Sequence, residues 1–376
     1  MSTKVLFVLG TRPEAIKFAP LIQKMKEKDG FQPIVCFTGQ HKEMLYHTAD
    51  FFSIQADFDL SLMVHNQSLT QFLSNALVEL ENIIKKVMPD LVFVQGDTST
   101  VLAGSLAAYY SKTKLAHLEA GLRSHDKYSP FPEEINRSLT SRIADFHFAP
   151  TENARANLLR EGINKDIYVV GNTVIDALFL CLEKIRSAGE DKYYQTFNQI
   201  DFNKKIILLT CHRRESFGDP LLEILSAIKL FAHQYPDVQI IYPVHLNPNI
   251  QNVVLKELAE IPNIHLMAPL DYPALVWIMS KSFFVVTDSG GIQEEAPALG
   301  KPVLVLRENT ERIESIEAGT SVLVGHDQEK ILTHMVRLYT DDAYYHSFKI
   351  TGNPYGDGTS SKQIIDILTT ALKIKY

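Results

Sequence analysis

Short, continuously apolar runs recur along the chain, at residues 5–9, 34–37, 91–94, 167–170, 206–209, 240–244, 283–286 and 303–306. Longer segments with helical periodicity separate them. A strand that is apolar at every position is buried on both faces, and such strands belong to parallel sheets covered by helices on either side. The pattern predicts α/β architecture with two doubly wound, Rossmann-like sheets. The alternation runs once to about Gly171, breaks in a charged stretch with no strand signal at 183–205, and then begins again. We therefore expect an N-terminal domain over 1–171 and a second over 172–358. The last helix, 359–376, follows Asn353-Pro354-Tyr355-Gly356-Asp357-Gly358, and its pattern alone fits either domain. No close internal repeat and no low-complexity segment interrupts this plan.

Ligands of open parallel sheets bind beyond the carboxyl ends of the strands, so the residues that follow each apolar run are the candidates for chemistry. Those residues are unusually polar. The first run ends in Gly10-Thr11-Arg12-Pro13-Glu14-Ala15-Ile16-Lys17, the run at 91–94 in Gln95-Gly96-Asp97-Thr98, and residues 114–118 in Glu119-Ala120-Gly121-Leu122-Arg123. In the second half the corresponding endings are Cys211-His212-Arg213-Arg214-Glu215, His245, and Asp288-Ser289-Gly290-Gly291. The last of these is a strand, a glycine turn and a helix start, a combination whose outward-pointing amides and helix dipole suit an anion such as phosphate. Both sheets thus aim charged residues at one edge, where two facing domains would form a cleft.

Several of these residues have a structural reading as well. Asp97 suits a helix N-cap, and Glu133 with Glu134 suits first-turn acids that complement a helix dipole. Glu133 and Arg137 are four apart on one helix face, a spacing that fits an ion pair or a carboxylate held in a site. Glu119, between Leu118 and Ala120 at a buried strand end, requires either a partner or a function. The spacing around His212 is compatible with a neutral hydrogen-bonding ring or with a cation facing phosphate.

Composition narrows the classes. With 376 residues, 45% hydrophobic and 22% charged, the chain is long enough for about two cored domains. A net charge of -7 opposes general attraction to nucleic acid or acidic membrane, so phosphate binding has to be local. No apolar stretch approaches the roughly 18 residues of a membrane span, and no signal peptide is evident, which gives a cytoplasmic expectation. Cys36, Cys181 and Cys211 are scattered, and no His, Cys and carboxylate set has zinc-ligand spacing, so neither a metal site nor a disulfide framework is expected.

Taken together, the motifs resemble the non-hydrolysing UDP-N-acetylglucosamine 2-epimerases over essentially the whole chain. Besides those above, Pro132-Glu133-Glu134-Ile135-Asn136-Arg137, Gly171-Asn172-Thr173-Val174-Ile175-Asp176, Pro243-Val244-His245-Leu246-Asn247-Pro248 and Thr287-Asp288-Ser289-Gly290-Gly291-Ile292-Gln293-Glu294-Glu295-Ala296-Pro297 match in order. The resemblance implies the two-domain GT-B arrangement, a homodimer, a final helix that crosses back to the first domain, and no cofactor. It also implies reversible inversion at C2 of UDP-N-acetylglucosamine to give UDP-N-acetylmannosamine, by elimination of UDP to 2-acetamidoglucal and re-addition, for bacterial surface polysaccharide precursors.

Carried over residue by residue, the resemblance makes Asp97, Glu119 and Glu133 the acid and base candidates and adds His212 to the catalytic set. Arg12, Lys17 and Arg137 would bind the sugar and diphosphate. Ser289, Gly290 and Gly291 would donate to phosphate, Glu295 would take the ribose hydroxyls, and Arg312 would complete the nucleotide pocket. Uracil would meet the backbone near Leu270 and Leu275, where some relatives carry Gln and Phe. Some bacterial members bind a second UDP-N-acetylglucosamine as activator, and the matching positions here are Gln40, Glu43, Arg213 and His245. Glu43 replaces a glutamine and 63–67 contains no arginine, so activation stays open. Three other readings share much of this pattern: the hydrolysing branch of the epimerases, a GT-B glycosyltransferase, and a nucleotide-sugar sensor.

Overall fold

Val5 to Leu9 are entirely shielded from solvent, as a strand sandwiched between helical layers must be. In the computed structural model, which describes residues 2–374 other than 41, 65, 214, 215 and 349–351 and no side chain at 42, 43 or 249, the chain divides into two compact units. One comprises Met1–Ala177 with Tyr355–Tyr376, and the other Leu178–Pro354.

The first unit carries strands β1 (Thr3–Leu9), β2 (Phe31–Phe37), β3 (Phe58–Asp59), β4 (Leu91–Gln95), β5 (Lys114–Leu118), β6 (Phe146–Ala149) and β7 (Ile167–Val169). They form one sheet in the order β3-β2-β1-β4-β5-β6-β7, and every pairing is parallel. Its helices are α1 (Arg12–Glu27), α2 (Lys42–Phe51), α3 (Leu69–Val87), α4 (Ser99–Tyr110), α5 (Glu133–Ile143), α6 (Glu152–Arg160) and the start of α7 (Thr173–Ala188). Alternate side chains of β1 serve the two layers. Leu6 and Val8 join a core with Phe72, Ala76 and Leu80 of α3 and with Val101 and Ala103 of α4. Phe7 points the other way, stacked on Phe93 at 5.5 Å with Phe18 of α1 edge-on at 5.1 Å. Each buried phenyl ring contributes roughly 2–3 kcal/mol by leaving water.

The second unit repeats the plan with α8 (Asp191–Thr196), β8 (Lys205–Thr210), α9 (Asp219–Gln234), β9 (Val238–Pro243), α10 (Pro248–Leu258), β10 (Ile264–Met267), α11 (Tyr272–Lys281), β11 (Phe284–Thr287), α12 (Gly290–Ala298), β12 (Val303–Val305), α13 (Ile313–Glu317), β13 (Ser321–Leu323), α14 (Gln328–Thr340) and α15 (Asp342–Ser347). Its parallel sheet has the order β10-β9-β8-β11-β12-β13. The charged stretch at 183–205 contains the end of α7 and the short α8, which docks on the indole of Trp277 through Tyr193 and through Phe197 immediately after the helix. The final helix α16 (Ser360–Ala371) packs on α1 in the first unit, and the buried carboxylate of Asp176 accepts the Ser360 and Ser361 amides at its N-terminus.

One contact ties the first unit's two central turns together. Glu14, three residues after the N-terminal Thr11 of α1, accepts the Gly10 and Thr11 amides at 2.5 and 2.7 Å with one oxygen. Its other oxygen accepts the Thr98 hydroxyl at 2.6 Å, which joins the turn after β1 to the turn after β4. Gly10 has no room for a side chain, because a Cβ there would lie 2.2 Å from Oγ1 of Thr100. Burial pushes the Glu14 carboxyl up to about 7, against the hydrogen bonds from Thr98, Gly10 and Thr11. Across the interval from 4.5 to about 7 the folded protein holds a proton that the unfolded chain has released. This stabilisation is complete below the lower value and is lost as pH rises through the upper one. Glu14→Gln keeps an acceptor for the amides and cannot ionise. Its stability relative to the parent is expected to rise between about pH 5 and about pH 8, by on the order of 3 kcal/mol. Urea unfolding at a series of pH values checks this, and a pH-independent difference would refute it.

Candidate functional site

Strand order reverses between β1 and β4 in the first sheet and between β8 and β11 in the second, and such reversals open a crevice at the carboxyl edge. The polar turns identified in the sequence sit at these two places. In the first unit they are Gly10-Thr11-Arg12 after β1 and Gly96-Asp97-Thr98 after β4; in the second, Cys211-His212-Arg213 after β8 and Asp288-Ser289 after β11.

Glu119 follows β5 with a positive φ of 65°, a conformation that L residues adopt at some cost. Its carboxylate is almost entirely buried. Lys17, one turn into α1, donates to both oxygens at 2.6–2.7 Å, Gln95 donates through Nε2, and Asn172 donates through Nδ2 at 3.0 Å. Gly96, also at positive φ, would place a Cβ 3.6 Å from the same carboxylate. The Gly96 carbonyl is fixed from below by Nε2 of His117 at 2.8 Å. Burial lowers the His117 ring to about 3, so it is neutral and serves as a hydrogen-bonding strut.

Asp97 accepts from the guanidinium of Arg137 on α5, and its backbone carbonyl accepts Nδ2 of Asn136 at 2.9 Å. Arg137 also lies 3.4 Å from Glu134. The i,i+4 spacing of Glu133 and Arg137 is therefore not what organises this helix face: the arginine reaches to Asp97 and Glu134. Glu134 in turn accepts the Ser124 and His125 amides at 3.0 and 3.1 Å, which makes it an anchor for that loop. Glu133 opens α5, half-buried, and Arg12 opens α1, also half-buried. Gln40 accepts the Thr100 hydroxyl at 3.0 Å at the start of α4. The Glu43 side chain lies outside the described residues.

In the second unit the organising group is Asp288, wholly buried. One of its oxygens accepts the His212 and Arg213 amides at 2.7 Å each, and the other stands 3.2 Å from Nδ1 of His212. The two amide contacts fix the His212 backbone, and its ring, 41% exposed, pairs with this carboxylate by charge only when protonated. The exposed His245 ring lies 6.3 Å from that of His212. Ser289 then leads into α12, whose first two residues are Gly290 and Gly291. The Arg312 guanidinium covers the first: a Cβ on Gly290 would be 3.3 Å from its Cζ. Glu294 and Glu311 hold Arg312 at 2.8 and 3.0 Å. Free helix-terminal amides beside a guanidinium make an anion site. On the same helix Glu295 accepts the Tyr272 hydroxyl at 2.7 Å, which brings the N-terminal turn of α11, with Leu270 and Leu275 around it, to the acidic face of α12.

Sequence reasoning left Glu14, Gln95, Asn172 and Tyr272 out of the site. Glu14 had a legible signal in its capping-box spacing from Thr11. The two amides and the tyrosine belong to no periodic pattern, and their partners are 24, 53 and 23 residues away. Among the described residues no helix is long and apolar enough to cross a membrane.

Comparison with known proteins agrees over the full length. A family model described as UDP-N-acetylglucosamine 2-epimerase matches residues 23–369. The UDP-N-acetylglucosamine 2-epimerase of Yersinia pestis is 48% identical over 97% of this chain and 98% of its own. That of Campylobacter jejuni is 46% identical over 98% of both. A crystal structure of the Neisseria meningitidis UDP-GlcNAc 2-epimerase bound to UDP-GlcNAc superposes with a TM-score of 0.91 at 45% identity, covering 98% of this chain and all of that one. The Methanocaldococcus jannaschii enzyme in complex with UDP-GlcNAc and UDP does so at 0.81 and 34%, with the same coverage. Two Rossmann-like parallel sheets of the GT-B-like α/β class, these switch-point turns and this likeness place the chain in the UDP-N-acetylglucosamine 2-epimerase family.

Proposed function

We propose that the protein interconverts UDP-N-acetylglucosamine and UDP-N-acetylmannosamine and keeps UDP throughout. The observation that carries this reading is the pairing of buried, donor-ringed Glu119 with Lys17 at one switch point, together with an amide and guanidinium anion site at the other. C2 of the sugar has no neighbouring carbonyl, so direct deprotonation is too costly and elimination is the accessible route. A carboxylate takes the C2 proton, the C–H electron pair becomes the C1–C2 double bond of 2-acetamidoglucal, and the C1–O pair leaves with the diphosphate. In the return step C2 is protonated from the opposite face and the UDP oxygen attacks C1. Asp97, Glu119 and Glu133 supply the acid and base in this reading, and His212, oriented by Asp288, assists at the sugar or diphosphate. Arg12, Lys17 and Arg137 bind sugar and diphosphate.

The α12 terminus at Ser289, Gly290 and Gly291 and the Arg312 guanidinium stabilise the departing UDP. Glu295 takes the ribose, and the backbone near Leu270 and Leu275 takes uracil. Elimination and re-addition move only a proton and the UDP leaving group, so this route draws on no cofactor. A cytoplasmic homodimer that feeds surface polysaccharide synthesis fits this activity, with the unit of residues 1–177 and 355–376 acting on the sugar and that of 178–354 holding the nucleotide. A second UDP-N-acetylglucosamine at Gln40, Glu43, Arg213 and His245 would act as activator. Strictly hyperbolic kinetics in both directions would remove that last element.

The deciding experiment incubates the protein with UDP-N-acetylglucosamine in deuterated water, without added metal or NAD, and follows the sugar by proton NMR. UDP-N-acetylmannosamine carrying deuterium at C2 is expected. Free N-acetylmannosamine with UDP would assign the hydrolysing reaction instead, and no exchange would overturn the substrate.

Two sets of variants resolve the roles. Asp97→Asn and Glu119→Gln should each lower kcat about 10²- to 10⁴-fold while UDP binding persists. Arg312→Ala should weaken UDP about 10- to 100-fold by calorimetry, as expected for loss of a charge-assisted contact. Parental UDP affinity in that variant would exclude Arg312 from the nucleotide site.

A further inference from the structure

Asn172 stands where the chain prepares to leave the first unit, and its side chain is committed at both ends. Its Oδ1 accepts the Val174 amide at 3.1 Å in the first turn of α7, and its Nδ2 donates to Oε1 of Glu119 at 3.0 Å. Because the oxygen is fixed by a backbone N–H, the amide orientation is unambiguous and the NH₂ must face the carboxylate. Asn172 is only 3% exposed.

The backbone around it is laced to the returning chain. The Asn172 amide donates to the carbonyl of Tyr355, the first residue of the segment that re-enters the unit, at 2.6 Å. A Cβ on Gly171 would lie 2.8 Å from Oγ of Ser360 and 2.9 Å from that same carbonyl. Four residues further on, Asp176 accepts the Ser360 and Ser361 amides at 3.2 and 2.8 Å. Glu119 is thus gripped by the sheet through Gln95, by α1 through Lys17, and by the laced exit and return of the chain through Asn172.

We propose that Asn172 is a positioning residue for the reaction, setting the orientation of the Glu119 carboxylate and fastening it to the point where the chain leaves and re-enters the first unit. This rests on the reading of Glu119 as an acid–base group. Among the described contacts, the charged and titratable groups that face Glu119 include Lys17 at 2.6 Å, from α1, and the neutral ring of His117 on its own strand, while β4 and the chain exit present the uncharged amides of Gln95 and Asn172. A donor at position 172 favours the ionised carboxylate; a second carboxylate there would oppose it.

Asn172→Asp separates positioning from mere structure, because the new carboxylate still accepts the Val174 amide and changes only what Glu119 faces. It should retain the parental circular dichroism and a KM within about threefold. It should also lower kcat about tenfold or more at neutral pH and move the acid limb of the kcat profile upward by about one unit. Asn172→Ser keeps a capping oxygen without the reaching donor; it should lower kcat with a smaller shift of the limb. Glu119→Gln is assayed in parallel. Parental kcat and profile in Asn172→Asp, or parental kcat in Asn172→Ser should Asn172→Asp fail to fold, would overturn the positioning role if Glu119→Gln is inactive. A fully active Glu119→Gln would overturn the acid–base reading of Glu119 itself.

Discussion

A carboxylate taken out of water has to be surrounded by donors, and Glu14, Glu119 and Asp288 meet that requirement with groups from neighbouring turns of their own unit. Glu14 joins the turn after β1 to the turn after β4. Glu119 draws on α1, the end of β4 and the start of α7. Asp288, after β11, collects two amides from the turn after β8. All three stitch the strands across which the order of a sheet reverses. The sheets supply the edge; the buried carboxylates hold its loops in one arrangement and thereby place Arg12, Lys17, Asp97 and His212.

This arrangement divides the chemistry between two kinds of group. In the second unit the anion site is made mostly of backbone, with α12 amides exposed by two glycines and one guanidinium over the first of them. Such a site adds little formal charge, so a chain of net charge -7 can offer an anion a local position without a basic surface. In the first unit the candidate groups are ionisable side chains with fixed partners: Lys17 on Glu119 and Arg137 on Asp97. Backbone amides cannot exchange protons with carbon, whereas carboxylates can, which is why the proposed acid and base groups are side chains of the first unit.

Much of the fold was legible because β1, β4, β8 and β11 are buried on both faces and read as unbroken apolar runs. Three strands left no such run: the edge strands β3 and β13 are two and three residues long, and the interior strand β6 interrupts its apolar residues with His147, buried but polar. The strand-end turns were legible for the same reason as the central strands, since polar residues stand out at the end of an apolar run. Partners brought in by tertiary structure left no trace in the pattern. Arg137 could be assigned to Glu133 on helical spacing, whereas the folded chain gives it Asp97, 40 residues away, and Glu134. Local spacing describes one element; it carries no information about which turn of a neighbouring strand will lie opposite.

The backbone of Glu119 sharpens the argument about its role. A glycine would occupy φ 65° without steric cost, as Gly96 and Gly121 do nearby at 79° and 93°. Gly121 has no choice, because a Cβ there would lie 2.2 Å from the carbonyl oxygen of Ala154. Residue 119 has room for a side chain and carries one at a cost of about 1–3 kcal/mol. Hydrogen bonds to a charged group contribute about 1.5–3 kcal/mol each, and the Glu119 carboxylate receives them from Lys17, Gln95 and Asn172. The contacts can offset the strain, but glycine at 119 would remove both together, so stability alone gives little reason for a carboxylate at this turn. What the carboxylate adds, and glycine cannot, is a group able to accept and return a proton from a fixed position at the edge of the sheet.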